Sequence, residues 1–393
     1  MVSKIDDIFS SWGEGRNVLL YGPPATGKTR LISELFQALQ QPPQAKRGIQ
    51  LNAANAVQPF SRPALPITIP MPAKVVWTTF HQSYGYEDFV LGLRPKMNAT
   101  GTSLEPWAGV FLDAALELDD PHSQYKSVVI FIDEINRGNA ARIFGEFMTF
   151  LDFDYRADGK VPLPVPLRQL AFSGGVSEEI HRPGGDSSTI AEGFVFPKDV
   201  YIVATMNSVD RAAVPIDSAL ARRFDRIEMR PDLDALAEHW ELDPATVPVP
   251  DDSNWMGLEP LEAGYLLLDR LNVAIASDLG PEFELGHGLL TPILASLVDA
   301  SGTVQARSED DLWKSLAKTW DDVLFPQLED RYSGRPEQLM GLLHVDSPPA
   351  SGDYAWRLRS AKSASASART LSPVRVSNLD LDIIKRSFKW LTR

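Results

Sequence analysis

Three observations predict an α/β fold with a parallel sheet between helical layers, followed by a helical domain. In the first, an apolar run at 18–21 enters Gly22-Pro23-Pro24-Ala25-Thr26-Gly27-Lys28-Thr29, and a helical pattern follows over 30–40. The second is a pair of almost wholly apolar runs, 127–132 and 199–205, the pattern of parallel strands buried on both faces. The third is a change after Asp232, where 233–242, 258–277, 288–299 and 309–325 all read as helices and strands are lacking.

The first stretch is a full GxxxxGK[ST] match in the strand–loop–helix setting that such a motif needs. Its glycines let the backbone turn N–H groups inward around phosphate oxygens, at the positive end of a helix dipole. Lys28 can reach the β- and γ-phosphates, and the Thr29 hydroxyl can ligate Mg²⁺. Arg30 completes the expected binding set of residues 22–30. This is a nucleotide site.

Composition narrows the class. The chain has 393 residues, 44% hydrophobic and 23% charged, ordinary for a soluble globular protein of two or three domains. A net charge of −14 argues against an isolated chain coating nucleic acid, because phosphate contacts need clustered Lys and Arg. With no cysteine, disulfides and thiolate metal sites are excluded. No signal peptide is visible and no apolar run approaches a membrane span, so a cytoplasmic protein is expected.

Taken in order, residues 1–16 form an amphipathic lead with Ile5, Ile8, Phe9 and Trp12 on one helical face. Residues 36–86 hold no Asp or Glu, and 41–72 are rich in Pro, Gln and Asn, so a loop insertion is expected there. Either it faces phosphate or an acidic partner, or it is a solvated loop. Residues 75–80 read as a strand, followed by the aromatic-rich FHQSYGYEDFVLGLRP and a helix over 110–118.

The run at 127–132 leads straight into Asp133-Glu134-Ile135-Asn136-Arg137. Carboxylates at the C-terminal end of such a strand sit where open α/β sheets place their ligands. Asp133 is placed to hold Mg²⁺ through water, and Glu134 to orient and polarise the attacking water. A helix follows over 140–151, then a hairpin about 161–172 and a mobile loop about 173–192. The strand at 199–205 ends in Met206-Asn207, with Asn207 suited to bond the γ-phosphate or the lytic water. Asp217 caps the next helix, which ends in Arg222 and Arg223. One of this pair is expected to reach a neighbouring subunit's phosphates and the other to make salt bridges.

The expected domains are 1–230, an α/β nucleotide-binding domain with insertions about 41–73 and 152–197, and 231–345, a helical lid. Residues 346–393 form a linker with a basic end, where 353–393 carry nine Lys or Arg against three Asp. A terminal amphipathic helix over 379–391 either binds a partner or packs back on the body.

P-loop, DE-ended strand, Asn-ended strand, Arg pair and helical lid, in that order, resemble an AAA+ module. FHQSYGYEDFVLGLRP, DEINRGN, and MNSVDR followed by PIDSALARRF resemble the McrB family, the motor GTPase subunits of modification-dependent restriction systems. Leu285-Gly286-His287 and FPQLE at 325–329 resemble that family's C-terminal segments. The likeness covers roughly 17–332.

The resemblance implies a Walker B pair at Asp133 and Glu134, with Asn136 as the polar residue that follows. It makes Asn207 the Asn of the MNxxD signature and Asp210 its acid, and gives Asp217, Arg222 and Arg223 trans-acting roles. It also implies a hexameric ring stimulated by an McrC-like nuclease partner, with DNA contacted through partners. The family's DNA-reading domain lies N-terminal to the motor; the sequence starts 21 residues before Gly22, so that domain is expected to be absent or on another polypeptide. Ser208-Val209 stands in place of the usual Thr-Ala. GTP is favoured by the resemblance and ATP by the wider class. The alternative function is a MoxR-like chaperone remodelling protein complexes.

Overall fold

The computed structural model describes residues 2–40, 47–51, 57–61, 68–98, 101–157, 179–190, 194–209, 214, 216–249, 255–295, 308–350, 353–358, 371–372 and 374–393. They divide into two compact units, Met1–Tyr21 with Lys28–Met229, and Gly22–Gly27 with Arg230–Arg393.

The first unit opens with α1 (Val2–Gly13), β1 (Asn17–Gly22) and α2 (Lys28–Gln40). An antiparallel pair, β2 (Arg47–Leu51) and β3 (Val57–Ser61), lies within the stretch read as a loop insertion. After it come β4 (Ala73–Thr79), the single turn α3 (Tyr86–Phe89), and the hairpin β5 (Leu91–Asn98) and β6 (Gly101–Ala108). Helix α4 (Val110–Asp119), β7 (Ser127–Asp133) and α5 (Ala140–Phe144) follow. The unit closes with β8 (Glu179–His181), β9 (Ser187–Thr189), β10 (Val200–Asn207), α6 (Ser218–Ala221) and β11 (Phe224–Glu228).

Five strands form the main sheet in the order β11-β1-β10-β7-β4, and β11–β1, β10–β7 and β7–β4 pair in parallel. Successive side chains of a strand point to opposite faces, which splits the core in two. Val128, Ile130, Ile132, Ile202 and Ala204 share one buried cluster with Phe89, Phe111, Phe144 and Phe147. Val129, Phe131, Tyr201 and Val203 share the other with Ile5, Ile8, Phe9 and Trp12 of α1 and Leu31 and Leu35 of α2. Each run therefore reads as continuously apolar because both faces are covered. The order puts the C-terminal ends of β10 and β7 side by side, and this is what positions the site.

The helix expected over 140–151 is divided. Residues 140–144 are α-helical, and Gly145–Leu151 continue as 3₁₀ helix. Gly145 adopts φ +52°, and a Cβ there would lie 3.0 Å from the Tyr86 ring. A left-handed residue packed against an aromatic face ends the α ladder. Hydrophobic spacing is preserved across the break, so Phe147, Phe150 and Leu151 are still buried. The hairpin expected about 161–172 lies outside the described residues. Within 173–192, read as a mobile loop, β8 and β9 pair antiparallel and extend a second sheet, β5-β6-β8-β9.

A charged network ties that second sheet to α4. Arg182 Nε donates to Asp113 Oδ1 and its NH2 to Glu117 Oε2, both at 2.6 Å, while Lys74 Nζ lies 2.8 Å from Glu117 Oε2. Burial alone would raise the Glu117 pKa, but hydrogen bonds from Lys74, Ser123 and Arg182 pull it down to about 2. Paired in this way, the carboxylates are tolerated at low exposure.

In the second unit, α7 (Leu233–Trp240), α8 (Pro260–Asp278), α9 (Pro292–Ala295), α10 (Glu309–Thr319), α11 (Phe325–Arg331), α12 (Pro336–Leu342) and α13 (Leu381–Leu391) are the α-helices of the described residues. Leu267, Leu271, Trp313, Trp320 and Leu328 are fully buried among them. The helix expected over 309–325 contains a π turn at Trp320–Leu324. Pro326 lies just beyond, where it withdraws an N–H from the ladder. The C-terminal helix α13 packs back, with Ile384, Phe388 and Leu391 in the same core and Lys389 Nζ donating to the Met256 carbonyl at 2.7 Å. Among the described residues no helix is long and apolar enough to cross a membrane.

Candidate functional site

The carboxylate end of the site is built in the first unit. β7 delivers Asp133, and the chain turns at Glu134, which adopts φ +55° before a 3₁₀ turn, Ile135–Arg137. A left-handed non-glycine residue is strained, and such strain collects at functional positions. Thr205 of β10 holds the turn from the neighbouring strand. Its hydroxyl donates to Asp133 Oδ1 at 2.5 Å and accepts the Glu134 N–H at 3.0 Å. Two residues further along β10, Asn207 Nδ2 donates to Glu134 Oε1 at 2.5 Å. Arg137 Nε lies 3.7 Å from Glu134 Oε2.

Sequence reasoning missed Thr205. The signal was present, because residues i and i+2 of a strand share a face, so an Asn207 aimed at Glu134 places Thr205 beside the same turn.

Lys28, at the start of α2, is buried. Burial lowers its pKa to about 8, against the opposing pull of Glu134 and Asp133. An ammonium so placed lacks full compensation until more negative charge arrives. Thr29 and Arg30 are exposed on the first turn of α2, with Arg30 Nε 3.2 Å from Glu34. The oxygen donors of Thr29 and Asp133 suit a hard cation. Magnesium takes one or two protein ligands and completes its shell with phosphate and water, so these two residues fit it. No group of three or more metal-ligating side chains occurs among the described residues.

The loop itself belongs with the second unit. Gly22, Ala25 and Gly27 have φ of +150°, +60° and +86°, and Thr26 Oγ1 donates to the Pro23 carbonyl at 2.9 Å. Left-handed residues interleaved with ordinary ones turn successive N–H groups to one side, making a concavity for an anion. A turn carrying Gly286, His287 and Gly288 rests on this loop. The Gly288 N–H donates to the Ala25 carbonyl at 2.9 Å, and a Cβ on Gly286 would lie 2.2 Å from the Pro24 carbonyl oxygen.

The two arginines separate clearly. Arg223 Nε pairs with Asp152 at 2.9 Å, and its NH1 donates to the Ala219 carbonyl at 2.7 Å. Arg222 is exposed, and its side chain makes no hydrogen bond or ion pair with a described residue. Asp217 Oδ1 accepts the Ala219 N–H at 2.9 Å and caps α6, the role expected of it. Asn136 is buried, and its amide donates to the Asn207 carbonyl at 3.2 Å. The Val214 N–H donates to the Asn136 carbonyl at 2.8 Å. Asn136, Asn139, Val214, Ile216 and Asp217 line a cavity of about 230 Å³. Asp210 lies outside the described residues.

Comparisons with known proteins bear on the same elements. The AAA domain (dynein-related subfamily) matches residues 67–224. The EcoKMcrB subunit of a type IV methyl-directed restriction enzyme, from Escherichia coli K12, is 28% identical over 282 residues, covering 69% of this chain and 46% of its own. Component YdiS of the type II restriction enzyme BsuMI, from Bacillus subtilis 168, is 25% identical over 224 residues, covering 54% of this chain and 57% of its own. The chain spans about half the length of these curated relatives.

Residues 67–224 are thus similar to an AAA domain, and the parallel sheet that presents paired acids beside an Asn-ended strand, followed by a helical unit, has the arrangement of an AAA+ fold. The chain is similar to the two restriction-system subunits, McrB at modest identity among them. The comparisons do not favour a MoxR-like chaperone.

Proposed function

We propose that this chain is the ring-forming motor subunit of an McrBC-like restriction or phage-defence complex, hydrolysing GTP or ATP to nucleoside diphosphate and phosphate. The observation that carries the catalytic part is the Asn207–Glu134 hydrogen bond at the ends of adjacent strands, beside Asp133. It pairs a candidate base with a polar group that can fix its direction.

In this reading, residues 22–30 bind the triphosphate, and Lys28 places its ammonium on the β- and γ-phosphates. Thr29, and Asp133 through water, would hold Mg²⁺, whose positive charge would offset that developing on the phosphate oxygens. Glu134 accepts a proton from the attacking water, while Asn207 orients that water against the γ-phosphate. Asn136 acts through Asn207, whose carbonyl it holds, and Asp210 is the acid of the same signature. Arg222 is the arginine that enters a neighbour's site, because Arg223 is already engaged at home. Asp217 supports it by capping α6.

The assembly proposed is a hexameric ring in the cytoplasm. An McrC-like partner would supply nuclease and stimulation, and DNA would be reached through partners. The two restriction-system relatives support this reading over the protein-remodelling one. The test is steady-state phosphate release from purified protein with ATP and with GTP, over a protein concentration series, with and without DNA. Turnover that rises cooperatively with protein concentration and disappears in Glu134→Gln supports the reading. Normal turnover in Glu134→Gln overturns the catalytic assignment.

A further inference from the structure

We infer that Thr205 is a positioning residue for hydrolysis: its hydroxyl fixes the backbone turn at Glu134 and so sets the direction of that carboxylate. The inference deepens the catalytic reading of Glu134 and rests on it.

Thr205 lies where the sheet stops. Ala204 pairs with Ile132 at the end of the β10–β7 ladder, so Thr205 and Asp133 are the next residues on the two strands. There the Glu134 N–H is taken by the Thr205 hydroxyl, at 3.0 Å, instead of by a strand carbonyl. A hydroxyl has one proton and an ionised carboxylate only accepts, so that proton belongs to the bond with Asp133 Oδ1 at 2.5 Å. A lone pair is left for the Glu134 N–H, and the polarity of both bonds is fixed. Thr205 is 2% exposed, which keeps solvent from competing.

The bond from the Glu134 N–H acts on a strained residue. Glu134 holds φ +55°, a left-handed conformation that a non-glycine residue keeps only when its surroundings enforce it. A return to ordinary backbone angles would swing the Cα–Cβ bond and carry the carboxylate away from the Asn207 amide that donates to Oε1. Thr205 and Asn207 are two apart on β10 and share a face. One therefore holds Glu134 by its backbone and the other by its carboxylate.

The competing explanation is a hydroxyl that satisfies a buried N–H and does nothing more. Two substitutions separate them. Thr205→Val keeps the shape and the β-branch but removes both bonds, whereas Thr205→Ser keeps the hydroxyl. Each variant is measured for melting temperature, for affinity toward a fluorescent nucleoside triphosphate, and for kcat and KM in phosphate release with ATP and with GTP.

We expect Thr205→Val to bind the labelled nucleotide within about twofold of wild type yet lose about a hundredfold in kcat, the scale of a misplaced reacting group. Thr205→Ser should recover kcat to within about threefold, because its hydroxyl can make both bonds. Wild-type kcat in the Val variant overturns the inference, as does a Ser variant as slow as the Val one. Equal losses of affinity and kcat overturn it too, because the turn would then serve binding. If the Val variant does not fold, Thr205→Ser is compared with Thr205→Cys, whose thiol is a weak donor and acceptor. Equal kcat in those two overturns the inference. Glu134→Gln is run alongside. If it turns over normally, the catalytic reading has failed; if it is inactive while Thr205→Val turns over as wild type, the Thr205 inference alone has failed.

Discussion

The amide of Asn207 donates to Oε1 of Glu134 across β10 and β7, and the same carboxylate has Arg137 on its other oxygen. The proposed base is therefore oriented from both sides. Asn207→Ala should leave nucleotide affinity within about twofold of wild type while lowering turnover roughly a hundredfold, the scale of one positioned proton-transfer group. Nucleotide titration and phosphate release, measured on the same preparation, check this. A proportional fall in both would make Asn207 a binding residue instead.

The arginines should part company in two assays. Arg223→Ala removes the pair with Asp152 and the bond to Ala219, and should cost about 1–3 kcal/mol, seen as a lower melting temperature. Arg222→Ala should melt as wild type and lose about a thousandfold in turnover, the lower end for an arginine supplied to phosphoryl transfer. Mixing Arg222→Ala with Lys28→Ala subunits tests action in trans. Activity recovered above that of either variant alone places Arg222 in the neighbour's site.

Lys28 makes nucleotide binding pH-dependent. Its pKa in the unliganded protein is lowered from 10.5 to about 8 by burial, so the ammonium is lost as pH rises through about 8. A bound triphosphate restores favourable charge and raises that pKa. Binding above pH 8 should take up a proton, and affinity should fall as pH rises from 8 toward 10. Calorimetry in buffers of different ionisation enthalpy reads the uptake directly. The same depressed pKa penalises the folded state fully below pH 8 and is relieved as pH rises toward 10.5.

The Glu117 network gives the acid limb of stability. Its folded pKa of about 2 lies below the ordinary 4.5, so its contribution is complete above 4.5 and is lost as pH falls toward 2. Arg182→Met leaves Asp113 with Lys74, and Glu117 with Lys74 and Ser123, and should destabilise by about 2–3 kcal/mol near neutral pH. The penalty should shrink as pH falls from 4.5 toward 2, where the Glu117 contribution is lost. Denaturant melts at pH 7 and pH 3.5 measure both values.

What the sequence made legible follows from local physics. The runs at 127–132 and 199–205 announce buried strands because both faces are covered, and GxxxxGK[ST] fixes its loop by backbone chemistry. Acids at one strand end and an amide at the next are then brought together by sheet order alone. Less legible was anything decided by long-range contact. The break at Gly145 depends on the Tyr86 ring arriving from 59 residues away. The division of labour between Arg222 and Arg223 depends on Asp152, which no spacing rule links to them. The aromatic-rich stretch at 80–95 reads as a loop entering a short helix, whereas its end lies in β5, which pairs antiparallel with β6.

The backbone bond from Val214 to the Asn136 carbonyl joins the turn behind Glu134 to the strand of chain that leads to Asp217 and Arg222. In the ring proposed above, the first of these elements would serve a subunit's own nucleotide and the second the next subunit's. One hydrogen bond thus spans two clocks. In that assembly a shift of the Glu134 turn would be carried through this bond to the segment that bears Arg222.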